Sequence, residues 1–577
     1  MKLQLSVISI ILCLSINAQN AYVSQLNEDM TLDVKEVWVT EYYQSKTTFE
    51  QLPGFPMGFV ANPSFKNMRN LTLHDLTGNG IPEIITAIND TLFVFNTDSM
   101  IWKRKITGTA VYPPSLADVT GDGYPDIVLT TGGVPAAGRV YLFDRNGNIV
   151  TGWPVNFSNN WMICAPALSD LNGDGKHEIV VCERIVPDGR VHILKHDGTS
   201  LNPGWPVTLN GIPAVTPSVG DVDGDGDKDI IVNSTNARYV FGTDGSIKPG
   251  YPLITEPGQK YSYQSPVLAD LNNNNKLEII GSSHGDAPKY YISDANGNNF
   301  PGWPVDVPDN DWTYSPPTVV KMNNQWQIFM SRSIGETADQ MLFGWDSSGV
   351  MLPGLPIVKS GGLEGVICVA DIHQDGVFDL VFGSNMLGVD GNGFIHAYAT
   401  DGSGEIDGFP LRPKGWSFMN GVCFADVSGD GKLNLVALTY TNTFGMGIDS
   451  VFINVYDLQQ SYSPQDVLWG TYKGSNTRTG NFEEIVNLHL PNNQLSMNNV
   501  YVYPSPANHQ ITVGLSKIDY KKICNIELFD VSGKKILEKN QSSTPVVLNI
   551  QHLMPGIYTI RLNCDSETTG IARFVKE

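Results

Sequence analysis

The stretch Asp221-Val-Asp-Gly-Asp-Gly-Asp-Lys-Asp229 decides the fold, because it belongs to a series. Earlier copies are Asp75-Leu-Thr-Gly-Asn-Gly-Ile-Pro-Glu83, Asp118-Val-Thr-Gly-Asp-Gly-Tyr-Pro-Asp126 and Asp170-Leu-Asn-Gly-Asp-Gly-Lys-His-Glu178. Later copies are Asp270-Leu-Asn-Asn-Asn-Asn-Lys-Leu-Glu278, Asp371-Ile-His-Gln-Asp-Gly-Val-Phe-Asp379 and Asp426-Val-Ser-Gly-Asp-Gly-Lys-Leu-Asn434. An eighth slot follows Pro316-Pro317-Thr318-Val319-Val320, with Lys321 where Asp is due. Counting that slot, successive starts lie 43 to 55 residues apart. A fixed period of this size marks a repeat architecture.

Two further signals keep the period. Gly-aromatic-Pro recurs at Gly54-Phe55-Pro56, Gly152-Trp153-Pro154, Gly204-Trp205-Pro206, Gly250-Tyr251-Pro252, Gly302-Trp303-Pro304 and Gly408-Phe409-Pro410, with Leu355 in the aromatic place at Gly354-Leu355-Pro356. Apolar runs end in Asn-Gly or Asp-Gly turns, as at Asn146-Gly147, Asp197-Gly198 and Asp401-Gly402. Each unit reads as four short strands, and the runs leaving the acidic loops are β-branched, such as Ile127-Val128-Leu129 and Ile230-Ile231-Val232. Four strands in about 50 residues make a propeller blade, whose radial closure hides sheet edges. The expected fold is all-β: a β-propeller of seven or eight four-stranded blades, then a small C-terminal β-sandwich. The stretch Trp469–Gly480 is placed to close the ring.

The loops have the chemistry of a calcium cradle. Calcium takes about six to eight oxygens, and a nine-residue loop with oxygens at places one, three, five and nine gathers them at one centre. Place seven adds a backbone carbonyl, so Asp227, Tyr124, Lys176, Lys276 and Lys432 stand there without conflict. By carboxylate number, Asp221, Asp223, Asp225 and Asp229 form the strongest predicted site. Asp118, Asp122 and Asp126 with Thr120 follow, as do Asp170, Asp174 and Glu178 with Asn172. Asp371, Asp375 and Asp379 also give three, although His373 displaces an oxygen. Weaker sites are Asp75, Thr77, Asn79 and Glu83; Asp270, Asn272, Asn274 and Glu278; and Asp426, Ser428 and Asp430. The slot at Lys321 is expected to bind nothing. An EF-hand is excluded, since its twelfth residue is a carboxylate, whereas here the twelfth residues include Leu129, Val181 and Val232. One such loop would read as an ordinary Asp/Gly turn. Seven copies at one spacing point to several structural calcium ions.

The net charge of -22 argues against a nucleic-acid partner, which needs clustered Lys and Arg. Lys2, the apolar run Leu3–Ile16 and Ala18 read as a signal peptide cut after residue 18. No later run reaches the length of a membrane helix. Cys164, Cys368 and Cys423 lie in apolar runs and are expected as small core residues, while export permits a Cys524–Cys564 disulfide.

These repeats resemble the FG-GAP or VCBS-type repeats of the integrin α-chain propeller family, over roughly Pro53 to Gly480. The resemblance implies calcium in the inter-strand loops and a use in adhesion or ligand binding. The tail carries Tyr503-Pro504-Ser505-Pro506-Ala507, Ile526–Asp530, Ser532-Gly533-Lys534, Leu553–Tyr558 and Ala572–Lys576. It resembles the C-terminal sorting domain of the type IX secretion system of Bacteroidetes, with Ser505 in place of the commoner Asn. That implies the type IX machinery as a partner and a secreted or outer-membrane-surface location. The expected organisation is a signal peptide at 1–18, an N-terminal segment at 19–50, the propeller at 51–480, a linker at 481–499 and the sorting domain at 500–577.

No HExxH, GxSxG, P-loop or Rossmann motif is present. The favoured function is therefore a non-catalytic module binding an extracellular protein or glycan. A lyase-like polysaccharide-degrading propeller and a structural surface scaffold stand as alternatives. Trp153, Trp205 and Trp303 invite a sugar-stacking reading, but their fixed repeat position favours inter-blade anchors.

Overall fold

The computed structural model describes residues 19–26, 32–39, 49–62, 67–132, 138–157, 161–261, 265–308, 313, 315–332, 337–441 and 450–489, and then 500–503, 509–515, 524–529, 534–541, 546–554, 556–564 and 567–576. The chain divides into two compact units, Met1–Asn487 and Leu488–Glu577.

The first unit is a propeller of eight blades. The first blade is the antiparallel meander Thr72–His74, Glu83–Ile88, Thr91–Phe95 and Met100–Lys105. The same four-strand order recurs at 115–156, 167–208, 218–254, 267–306 and 318–359. The seventh blade is built on Cys368–Ala370, Asp379–Gly383 and Ile395–Ala399. The eighth is built on Cys423–Ala425, Lys432–Tyr440 and Ser450–Ser461. Its outer edge is completed by Glu50–Gln51 and Met57–Val60, from the other end of the propeller sequence. Each acidic loop joins a blade's first strand to its second. The second strands, such as Asp126–Thr131 and Asp229–Asn233, are buried along their whole length, which is why they read as unbroken apolar runs.

A recurrent bond ties neighbouring blades at their inner edges. Thr72 Oγ1 donates to Pro114 O at 2.7 Å, Ser115 Oγ to Pro166 O at 2.6 Å, Ser218 Oγ to Pro266 O at 2.6 Å and Thr318 Oγ1 to Ile367 O at 2.6 Å. Cys368 Sγ reaches Val422 O at 3.1 Å from the same repeat place. Cys423 Sγ reaches Leu71 O at 3.5 Å, joining the eighth blade to the first. Cys164, Cys368 and Cys423 are thus buried free thiols, and two of them stand in for hydroxyls.

The stretch expected to close the ring does something else. Closure falls to the strands at Glu50–Gln51 and Met57–Val60, and residues 467–481 run through the centre. Val467–Trp469 pairs with Val369 and Ala370 of the seventh blade. Phe424 N–H of the eighth donates to Gly470 O, and Asn476 Nδ2 donates to Leu73 O of the first. Leu116, Leu168, Val219 and Leu268, from the second to the fifth blades, donate their N–H groups to the carbonyls of Asn476, Thr477, Thr479 and Gly480. Phe482 then packs edge-on against Trp326 of the sixth, with ring centres 4.7 Å apart. Trp469, Tyr472, Lys473 and Arg478 are fully buried on this path. The stretch 481–489, expected as the start of a linker, holds the helix Phe482–His489, which buries Phe482 and Ile485 in the propeller core. Residues 490–499 and the expected signal peptide at 1–18 lie outside the described residues. Within 19–50, Gln19–Leu26 and Leu32–Val39 form a hairpin whose first strand pairs with Met386–Gly388 beside the seventh blade.

The second unit has a three-stranded sheet (Val500–Tyr503, Gln510–Leu515, Val546–Asn549) and a four-stranded one (Lys535–Gln541, Cys524–Phe529, Gly556–Cys564, Glu567–Lys576). Ile511, Val513, Ile526, Leu528, Leu548 and Ile560 share the core between them, as a small β-sandwich requires. Cys524 and Cys564 are register partners in adjacent strands. The motif residues 504–507 lie outside the described residues.

The acidic loops as a candidate cation site

All seven loops adopt one backbone cradle. The Asp at place one accepts the amide of place six at 2.7–3.0 Å throughout. In five loops it also accepts the amide of the glycine at place four, at 2.6–2.7 Å. Asn273 and Gln374 replace that glycine in the other two loops and still hold its left-handed φ, at 59° and 54°. There Asp270 and Asp371 take the amide of place five instead. The side chain at place five accepts the amide of place seven at 2.8–3.0 Å. The residue at place nine accepts the amide of place two at 2.7–3.1 Å. These bonds fix the side chains of places one, five and nine against the loop's own amides.

Place seven varies in type, but at Lys176, Lys276 and Ile81 its side chain lies across the place-four glycine of the preceding loop. A Cβ on Gly121 would stand 2.8 Å from Lys176 Cε, one on Gly224 would stand 3.0 Å from Lys276 Cγ, and Ile81 covers Gly429 in the same way. Backbone bonds from His177 to Asp118 O and from Leu277 to Asp221 O join the same neighbours. Three neighbouring pairs of loops therefore touch: those starting at Asp118 and Asp170, at Asp221 and Asp270, and at Asp426 and Asp75.

The place-nine carboxylates carry the electrostatic load. Burial pushes Glu178 up to about 7, with Asp174 and Asp170 adding like charge beside it. Glu278 also rises to about 7 by burial, next to Asp270. Asp379 rises to about 7 by burial, next to Asp371 and Asp375, and burial also raises Asp126. Buried carboxylates grouped with like charges favour a cation between them. The donor set of carboxylate, amide and hydroxyl oxygens suits a hard cation such as calcium.

The fourth blade differs. Lys248 Nζ stands 2.7 Å from Asp223 Oδ2, 2.8 Å from Asp225 Oδ2 and 3.0 Å from Asp229 Oδ1. Among the described residues, Asp221, Asp223 and Asp225 form the acidic group whose ligand atoms converge within 4.8 Å. Two of these three, Asp223 and Asp225, also hold the ammonium. Over the next loop, a cleft of about 510 Å³ is lined by Asn272, Asn274, Glu278, Asp294 and Phe300.

Trp153, Trp205 and Trp303 are buried, and their indole N–H groups donate to His196 O, Thr243 O and Ser347 O of the following blade. They are inter-blade anchors. Trp102 does the same for the first blade, toward Arg145 O at 3.3 Å, without any Gly-aromatic-Pro signal to announce it.

Residues 118–181 and 170–232 match the FG-GAP-like repeat, and residues 501–577 match the secretion system C-terminal sorting domain. The chain carries FG-GAP-like repeats and a type IX secretion sorting domain. The sorting domain marks the protein for export, to the medium or the cell surface. The repeat match spans the loops at Asp118, Asp170 and Asp221. Among solved structures, the BP39L lectin from Burkholderia pseudomallei is similar at 12% identity and a TM-score of 0.40, covering 60% of this chain and 99% of that one. BBS1N, from its complex with ARL6DN, gives 12% identity and a TM-score of 0.38, covering 71% and 97%. The V. cholerae biofilm matrix protein Bap1 gives 14% and 0.35, covering 75% and 92%. No curated protein matches the sequence. Among the described residues, no helix is long and apolar enough to cross a membrane.

Proposed function

We propose that the protein is an exported, calcium-stabilised propeller that presents a binding surface for an extracellular protein or glycan and performs no chemistry of its own. The observation that carries this reading is the rim of like cradles, in which buried carboxylates lie beside other carboxylates. The loops starting at Asp118, Asp170 and Asp371 hold the best donor sets for calcium. Each ion would fix a turn built mostly of polar residues, so its role is structural. The filled centre favours a binder over an enzyme, because residues 467–481 occupy the axis between the blades' inner edges. A signal peptide at 1–18 and recognition of the tail by the type IX machinery would complete the export route.

Thermal unfolding of the mature chain with calcium and with a chelator tests the metal. The midpoint should fall on chelation, and equal midpoints would count against calcium. Glycan and protein arrays test the binding surface. Depolymerisation of a polysaccharide by the purified protein would overturn the non-catalytic reading.

A further inference from the structure

The loop richest in carboxylates is also the one that contains its own cation. Lys248 enters from the outer part of the same blade, where its N–H bonds to Val240 O. The matching backbone bond is made by Val150, Leu201, Phe300, Leu352 and Ile406 in other blades. Every one of those residues is apolar, so the lysine departs from the repeat at this place alone among the six. Its side chain is 16% exposed, and its ammonium meets three carboxylates, including that of the fully buried Asp229. The fifth blade provides the contrast, since Phe300 occupies the equivalent place and the cleft over that loop stays open.

We propose that the Lys248 ammonium is the resident cation of the fourth-blade loop, so that the Asp221–Asp229 loop takes no calcium while its neighbours do. An ammonium carries one charge and three donors, and here Asp223 Oδ2 and Asp225 Oδ2 each accept one of them while Asp229 Oδ1 stands 3.0 Å away as an ion-pair partner. A calcium ion drawing on Asp223, Asp225 and Asp229 would have to displace the amine from them. Ranking the loops by carboxylate number therefore fails at its top member. Four acidic side chains are tolerated there because a tethered positive charge arrives with them. The proposal shares only the cradle geometry with the calcium reading above.

Titration calorimetry on the mature chain, with calcium as the probe, separates the two. Lys248→Met should bind one more calcium than the wild type, and Asp225→Asn in the wild-type background should leave the number unchanged. Loss of an ion on Asp225→Asn, or equal numbers for Lys248→Met and the wild type, would overturn the assignment. If the other loops take no calcium, the wild-type titration is flat while that of Lys248→Met is not. A measurement that needs no variant is amine acylation read by peptide mass spectrometry. Lys248 should be protected equally with and without calcium, whereas a calcium-dependent rise in its labelling would sink the proposal.

Discussion

At the scale of single residues, the indoles show how one side chain can serve two blades. Trp153 buries its ring in its own blade's neighbourhood and directs its N–H to His196 O, at 2.8 Å, in the next. Trp153→Phe should cost about 1 kcal/mol for the lost bond, and Trp153→Ala about 3–5 kcal/mol for the cavity as well. Chemical denaturation of the two variants checks the split. The place-nine carboxylates give a pH signature. Glu178 and Glu278 rise from 4.5, and Asp379 from 3.8, to about 7. In the metal-free protein the folded state thus binds protons more tightly than the unfolded chain. Their stabilising contribution is complete below the unfolded values and is lost as pH rises toward about 7. In chelator, the unfolding midpoint should therefore fall between pH 4.5 and 7, and calcium should flatten that fall. Parallel profiles with and without calcium would show that these carboxylates face no metal. At this scale the sequence reveals the acidic turns well, since Asp and Gly at fixed places encode a local turn. Lys248 was not legible, because its contact with Asp223 spans 25 residues and depends on the blade's twist.

At the scale of elements, the strand–loop–strand unit could be read directly, while the role of residues 467–481 could not. A turn is fixed by its own residues, whereas a central segment is defined only by the inner edges that surround it. Thr471–Gly480 looks like polar loop sequence, and yet Lys473 and Arg478 are fully buried. Lys473 donates to Pro217 O and Ser218 Oγ, and Arg478 donates to Thr471 Oγ1, Tyr472 O, Ser475 O and Thr72 Oγ1. Lys473 thus satisfies a blade carbonyl, while Arg478 braces the central segment's own carbonyls and ties it to the first blade through the Thr72 hydroxyl. Arg478→Met should destabilise by about 3–5 kcal/mol, since it strands those acceptors. Exposed Arg190→Met should leave stability within about 0.5 kcal/mol of the wild type. In the C-terminal sandwich, Cys524 stands opposite Cys564 in register. Peptide mapping of the secreted form without reductant should find them linked.

At the scale of the molecule, eight slots in the sequence leave seven or eight blades open, and the structure has eight. The Lys321 slot forms a complete blade, because Thr318–Met322 and Gln325–Ser331 meet in a tight turn that needs no cation. What could not be foreseen is that the first strands of the propeller belong to its last blade. Glu50–Gln51 and Met57–Val60 cover the edge of Ser450–Ser461. A chain starting after residue 61 should expose that edge, and it should lose cooperative unfolding and associate, as sedimentation and calorimetry would show.

The central segment also sets an order of events. Each blade's own strands lie close in sequence and can pair as soon as they are made. The contacts from Gln51 to Tyr456 and from Leu73 to Asn476 span 405 and 403 residues. Such distant contacts close slowly. Until residues 467–481 have emerged, the inner edges have no partner at the axis and the ring stays an open arc. The finished propeller is thus a late product of the chain, locked by nearly its last residues, and any species interrupted before that point is an unlatched one.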